Sequence, residues 1–328
     1  MTYLKYIDAI IVGGGPCGLA TAIALQEIGM KPVVIEKGNI VNSIYNYPTH
    51  QTFFSSSENL EIGDVAFITE NRKPVRNQAL AYYRAVVSRK SIAVQPFEKV
   101  TVIQKMENDT FVVKTDKSIY QTSYVVVATG YYDQPNYMNV PGEDLPHVYH
   151  YFKEAHPYFD CDVTVIGGKN SSVDAALELV KAGARVTVLY RGSEYSPSVK
   201  PWILPEFDAL VRKGIIRMEF QANVVSIGEE SITYYNEKQE EKTIRADFVF
   251  AMTGYHPDYS FLAKMGVMIE KETGKPYFHE ETMETNVPGL FIAGVIAAGN
   301  NANEIFIENG RFHGGLIANY IAGKKGTV

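Results

Sequence analysis

The chain has 328 residues, 46% of them hydrophobic and 21% charged, and a formal net charge of −6. That length exceeds one compact core and implies two domains, while ordinary Gly, Pro and Cys counts exclude collagen-like, disordered and disulfide-stapled chains. The acidic balance offers no cationic surplus for a phosphate backbone, so no nucleic-acid partner is expected.

Residues 7–12 form a β-branched run that stops at Gly13-Gly14-Gly15-Pro16. An apolar helical pattern follows to Gly29, and residues 32–36 resume a buried strand, so the opening is a βαβ unit on a parallel sheet. The uncharged stretch from Ala9 to Leu25 imitates a secretory leader, but the glycines interrupt it and no other apolar span reaches about 18 residues. Cys17 and Cys161 form no disulfide or metal spacing, as in a reducing compartment. A cytoplasmic protein without a membrane segment is expected, and a homo-oligomer is compatible with the sequence.

Further strands are expected over 92–94, 99–104, 110–115 and 124–128, ending at Thr129-Gly130-Tyr131. The pattern then repeats. A strand over 163–166 meets Gly167-Gly168-Lys169-Asn170-Ser171-Ser172, a helix runs to Ala182, and a strand covers 185–190. Strands over 216–220, 224–227, 231–235 and 248–252 lead to Thr253-Gly254-Tyr255. A late strand within 287–294, closed by Gly294, most simply rejoins the first sheet, and a helix follows over 308–321. The fold class is therefore α/β, with two Rossmann-like dinucleotide-binding domains and the second inserted into the first. The expected boundaries are 1–129 with 255–328 for the outer domain and 130–254 for the inserted one, with the Thr129-Gly130 and Thr253-Gly254 turns as hinges.

Gly13-x-Gly15-x-x-Gly18 follows a strand and opens a helix, with Glu36 at the end of the next strand. Each part has a mechanical reason. Gly13 permits the turn, Gly15 lets the backbone approach a pyrophosphate, Gly18 allows close helix packing, Pro16 begins the helix, and Glu36 accepts from a ribose diol. The second copy has Lys169 for the middle glycine and Ser172 for the third, and Tyr190-Arg191 replaces the acid. Losing a carboxylate and gaining a guanidinium favours a 2′-phosphate, so this site is expected to take NADPH. Lys169, Asn170, Ser171 and Ser172 lie where side chains and N–H groups meet a pyrophosphate. Resident FAD and visiting NADPH, with hydride transfer between them, is the chemistry that two such sites imply. His147, His150 and His156 lack a supporting carboxylate pattern, so no metal is expected.

The whole chain resembles the two-dinucleotide-domain flavoprotein reductases related to low-molecular-weight thioredoxin reductases, and within them the bacillithiol disulfide reductase family. The resemblance rests on Gly13-Gly14-Gly15-Pro16-Cys17-Gly18, Phe53-Phe54-Ser55-Ser56-Ser57 with Leu60-Glu61-Ile62-Gly63, Gly167-Gly168-Lys169-Asn170-Ser171 and Ala293-Gly294-Val295-Ile296-Ala297-Ala298-Gly299. Thioredoxin reductases carry a Cys-x-x-Cys and an Ala-Gly-Asp at corresponding places, whereas this chain has neither and Val295 stands for the aspartate. Without a dithiol relay, reduced flavin must reach its acceptor directly or through one thiol. The resemblance implies a small-molecule disulfide substrate, oxidised bacillithiol, and proposes Cys17 as the thiol; a packing role for Cys17 stands beside that. It further places Thr49, His50 and Ser55 against the flavin, with His50 either a proton donor to a leaving thiolate or a solvated loop residue. Thr129, Gly130, Gly254 and Gly294 join the cofactor-binding set at their glycine turns. The final helix would aim its N-terminus at the flavin, or simply close the domain with Arg311 solvated. The rival readings are an NADPH-dependent ferredoxin or flavodoxin reductase and an FAD/NADPH redox sensor without turnover.

Overall fold

The computed structural model describes residues 5–301 and 303–325. β1 (Lys5–Val12), α1 (Pro16–Glu27) and β2 (Pro32–Glu36) make the first βαβ unit. Ala9, Ile10 and Ile11 are fully buried, because a parallel strand covered on both faces reads as one apolar run. α2 (Asn42–Asn46), α3 (Arg76–Arg89), β3 (Val94–Pro96), β4 (Val100–Lys105), β5 (Phe111–Thr115) and β6 (Ile119–Val127) follow. Next come β7 (Val148–Tyr149), β8 (Asp162–Ile166), α4 (Asn170–Lys181), β9 (Arg185–Tyr190), α5 (Leu204–Arg212) and β10 (Ile216–Phe220). β11 (Asn223–Ile227), β12 (Ser231–Tyr235), β13 (Glu241–Arg245) and β14 (Phe248–Ala251) precede α6 (Tyr259–Lys264), β15 (Leu290–Ile292), α7 (Ile307–Gly310) and α8 (His313–Lys325).

Two compact units result: the chain up to Gln134 together with the chain from Tyr255 onward, and Pro135–Gly254. The first holds a seven-stranded sheet in the order β3-β2-β1-β6-β5-β4, with β15 also on β6. The β6 strand serves two neighbours along one edge: its start pairs antiparallel with β5 and its end, Val125 to Val127, pairs parallel with β15. The late strand therefore does rejoin the first sheet. The second unit holds an all-parallel sheet, β10-β9-β8-β14-β7, and a separate antiparallel sheet, β11-β12-β13.

The first passage out of the outer unit falls after Gln134, four residues beyond the Thr129-Gly130 turn. Aromatic packing explains this. Tyr132 lies 4.7 Å from Tyr255 and 5.2 Å from Tyr47, ring centre to ring centre, and Tyr131 lies 6.2 Å from Tyr255, so the residues after the turn stay with the first unit. The two passages are also stitched: His256 N–H donates to Gln134 O at 2.9 Å in the first unit, and Asn136 N–H donates to Gly254 O at 2.9 Å in the second.

Two expected elements are shorter than the sequence reading. Gly289 has φ +84° and Leu290 N–H closes a turn onto Val287 O, so the strand expected within 287–294 begins only at Leu290. The final helix is broken: Phe312 N–H bonds back three residues to Asn309 O, and a new helix starts at His313.

Candidate functional site

In the first unit Gly13 has φ +111°, and a Cβ there would sit 2.4 Å from Ala128 O. Only glycine fits. A Cβ at Gly18 would sit 2.1 Å from Gly13 O, so α1 lies against the turn as closely as its backbone allows. A Cβ at Gly15 would meet nothing within 4 Å; that side of the turn is open at the start of α1, with Pro16 at its first position. An open, glycine-faced helix N-terminus suits an anion.

Glu36 closes the pattern. Its Oε2 accepts the N–H of Gly14 at 2.7 Å and its Oε1 accepts the N–H of Gly38 at 2.9 Å. Burial raises its pKa, against the lowering effect of those two N–H groups and of Lys37. The carboxylate is fixed in direction and keeps lone pairs for a ribose diol.

Cys17 is wedged between two glycines. A Cβ on Gly294 or on Gly310 would each lie 3.0 Å from its sulfur. Burial pushes its thiol up to about 12. Of the two expectations for Cys17, this close packing, which lets α1 approach the end of β15 and α7, favours the packing role over the catalytic thiol.

His313, at the start of α8, was not among the residues expected to matter. Its Nδ1 accepts the N–H of Gly294 at 3.1 Å, and burial lowers its pKa. The accepting nitrogen is unprotonated, so the proton of the neutral ring resides on Nε2. Gly314 lies directly on α1, where a Cβ would come within 2.5 Å of Thr21 Cα. Arg311 is not solvated: its guanidinium donates to Glu58 O at 3.0 Å and to Glu61 O at 2.5 Å. Thr49 and His50 are exposed on the loop after α2, and Ser55 is half-buried. Thr129 Oγ1 is buried with no hydrogen-bond partner among the described residues, an orphan polar atom beside Gly130, which has φ +71°.

The second unit repeats the turn with different chemistry. Gly167 has φ +136° and a Cβ there would lie 2.6 Å from Met252 O. Ser172, 1% exposed, donates its hydroxyl to Lys169 O at 2.7 Å, so its side chain is spent on the turn and not offered to a ligand. Asn170 is committed likewise: its Nδ2 donates to Ser198 O at 2.9 Å and its Oδ1 accepts Lys200 N–H at 2.9 Å. That pair of bonds straps the Ser198–Lys200 loop to the turn, a correction to the expectation that the Asn170 and Ser172 side chains face a pyrophosphate. Lys169 and Arg191 are exposed, and Ser171 and Gly254 border the same end of the sheet. Among the described residues no group of His, Cys, Asp and Glu is arranged to hold a metal ion, and no helix is long and apolar enough to cross a membrane.

Two units, each with a run of parallel strands and a glycine turn leading into a helix, define the class as a thioredoxin-reductase-like α/β protein with Rossmann-type units. Residues 10–294 match the pyridine nucleotide-disulphide oxidoreductase family, and the chain belongs to it. The chain is 73% identical over 317 residues to Bacilliredoxin reductase Bdr of Bacillus subtilis, covering 97% of this chain and 98% of that protein. The solved Bacillithiol Disulfide Reductase Bdr (YpdA) of Bacillus cereus is 70% identical with a TM-score of 0.95, covering 98% of this chain and all of that one. Its counterpart from Staphylococcus aureus is 59% identical at the same TM-score and coverage. This chain is thus an oxidoreductase of the reductase type.

Proposed function

We propose that the chain is an FAD-dependent NADPH oxidoreductase that reduces a low-molecular-weight disulfide, oxidised bacillithiol, in the cytoplasm. The observation that carries the reading is the pair of glycine turns, one closed by the doubly hydrogen-bonded Glu36 and the other by Tyr190-Arg191, in a chain 73% identical to a bacilliredoxin reductase. The unit formed by the chain up to Gln134 and from Tyr255 onward takes FAD, and Pro135–Gly254 takes NADPH.

Gly13, Gly15, Pro16, Gly18 and Glu36 hold the pyrophosphate and ribose of FAD, and Thr49, Ser55, Thr129, Gly130 and Gly294 lie toward its ring. The open face above Gly15 and the orphan Thr129 hydroxyl fit that group. Gly167, Lys169, Arg191, Gly254 and the backbone N–H groups of Asn170, Ser171 and Ser172 hold NADPH. When bound, FAD supplies the two-electron carrier between nicotinamide and disulfide. The net reaction consumes NADPH, one proton and the disulfide and yields NADP and two thiols. His50 delivers a proton to the departing thiolate. His313 holds the Gly294 N–H in place at the end of β15.

The test is anaerobic stopped-flow reduction of the purified flavoprotein by NADPH, followed by mixing with oxidised bacillithiol. Flavin reoxidation that releases two thiols per NADPH supports the reading. Flavin that reduces but is not reoxidised by the disulfide sinks the substrate assignment.

A further inference from the structure

The parallel strands of the second unit start at the edge of the sheet opposite their glycine turn. β8 starts at Asp162 and β9 at Arg185, and the two residues stand side by side in register. From there the strand runs about 13 Å to Ile166, where the turn begins. Around the strand starts lies an open groove of about 410 Å³, lined among others by Asp162, Arg185, Thr187, Ile215, Arg217 and Arg245. That volume is within the range of small-molecule sites. Ile215 is half exposed and supplies an apolar wall.

The charge of the lining is one-sided, with three guanidinium groups against one carboxylate. The carboxylate is already neutralised, since Asp162 faces Arg185 at 2.9 Å and Arg245 at 3.4 Å. Three further acids, Asp160, Asp247 and Glu219, stand outside the lining and pair with Arg185, Arg245 and Arg217 in turn. Arg185 spends its fork on Asp160 and Asp162. The other two keep an edge. Arg217 donates through Nε to Glu219 at 2.7 Å and through Nη2 to the Tyr234 hydroxyl at 3.3 Å, while Arg245 donates through Nε and Nη2 to Asp247 Oδ1 at 3.2 and 2.9 Å. Among the described residues Nη1 of each has no acceptor, so two guanidinium groups from different strands each hold a free pair of N–H donors beside the half-buried Thr187.

We propose that this groove is a phosphate site: Nη1 of Arg217 and Nη1 of Arg245 take separate oxygens of one phosphate dianion, and Arg185 holds Asp162 out of its way. A tetrahedral dianion has oxygens for two guanidinium groups at once, whereas one planar carboxylate is satisfied by a single fork. The ligand is either free phosphate or a phosphorylated metabolite whose carbon skeleton lies on Ile215. The site is separate from the glycine turn at the other end of β8, and it stands whether or not that turn holds NADPH.

The experiment is calorimetric titration of the purified flavoprotein with inorganic phosphate and with glucose 6-phosphate, in a phosphate-free buffer containing excess NADP, with thermal melting as the folding control. The wild type should bind at least one of the two, and raising sodium chloride from about 20 to 200 mM should weaken binding several-fold. Tighter binding of the ester assigns the site to a phosphorylated metabolite, and equal binding assigns it to free phosphate. The double variant Arg217→Gln/Arg245→Gln should weaken binding at least tenfold, while Arg84→Gln, an exposed arginine on α3, should leave it within twofold. No binding of either probe by the wild type overturns the proposal, as does a normally melting double variant with wild-type affinity. Arg245→Gln alone should weaken binding at least threefold, and an unchanged affinity there overturns the proposal even where the double variant does not fold.

Discussion

The Nδ1 of His313 accepts the N–H of Gly294 at 3.1 Å, tying the first residue of the last helix to the end of the last strand. A backbone N–H that loses its acceptor costs about 1–3 kcal/mol where it is buried. His313→Ala should therefore lower the melting temperature by several degrees, and His313→Asn, whose amide oxygen also accepts, should recover part of the loss.

The same imidazole predicts a pH dependence. Its folded pKa lies below the ordinary value because burial disfavours the cation. The unfolded chain then binds the proton more readily, so the stabilisation is present above the unfolded value of about 6.5 and is lost as pH falls through that value toward the folded one. His150 is shifted in the same direction by burial and adds to the slope. Urea midpoints measured from pH 8 to pH 5 should fall more steeply for the wild type than for His313→Asn; parallel curves would refute the assignment.

Glu36 holds two N–H donors at once. Glu36→Ala strands both and removes the ribose acceptor, so we expect about 2–4 kcal/mol of lost stability and protein purified with less than a tenth of the wild-type flavin. Absorbance at the flavin band against total protein measures this directly. Retention of full flavin content would refute the assigned role of Glu36.

Cys17, with a thiol at about 12, should resist alkylation at pH 8 in the native protein and react only on unfolding, as peptide mapping after iodoacetamide will read. Cys17→Ala should keep disulfide reductase activity within about threefold. A loss of a hundredfold, with flavin reduction by NADPH intact, would restore the thiol to the chemistry and overturn the packing role.

Asn170 makes two hydrogen bonds to the 198–200 loop, together about 1–3 kcal/mol. Asn170→Ala should raise KM for NADPH several-fold while changing kcat little, because the strap orders the loop and touches no reacting atom. A fall in kcat at unchanged KM would count against it.

The glycine turns, the parallel strands and the return of β15 were legible because β-branched runs closed by glycine leave few alternatives. α3 was missed, although Ala79, Tyr82, Tyr83 and Val86, spaced three and four apart and buried, carry the helical period; loop-like residues around them masked it. β13 was missed for a different reason. It is an almost wholly exposed strand, Glu241–Arg245, and presents no apolar alternation. The roles of Ser172 and Asn170 were misread since short polar side chains at a helix start bond to nearby backbone as readily as to a ligand. Arg311 and His313 act on carbonyls and N–H groups far along the chain, at Glu58, Glu61 and Gly294; local pattern carries no trace of such pairs.

The stitch between His256 and Gln134 makes the inserted unit removable in principle. The outer unit's two cut ends already meet in a hydrogen bond, so the 120 residues of Pro135–Gly254 enter and leave through a single doorway. Joining Gln134 to Tyr255 by a few glycines closes a short loop at little entropic cost and leaves every strand of the seven-stranded sheet intact. Such a shortened chain would be a flavin carrier without its own reductant, a part from which recombination could build reductases of other donor preference.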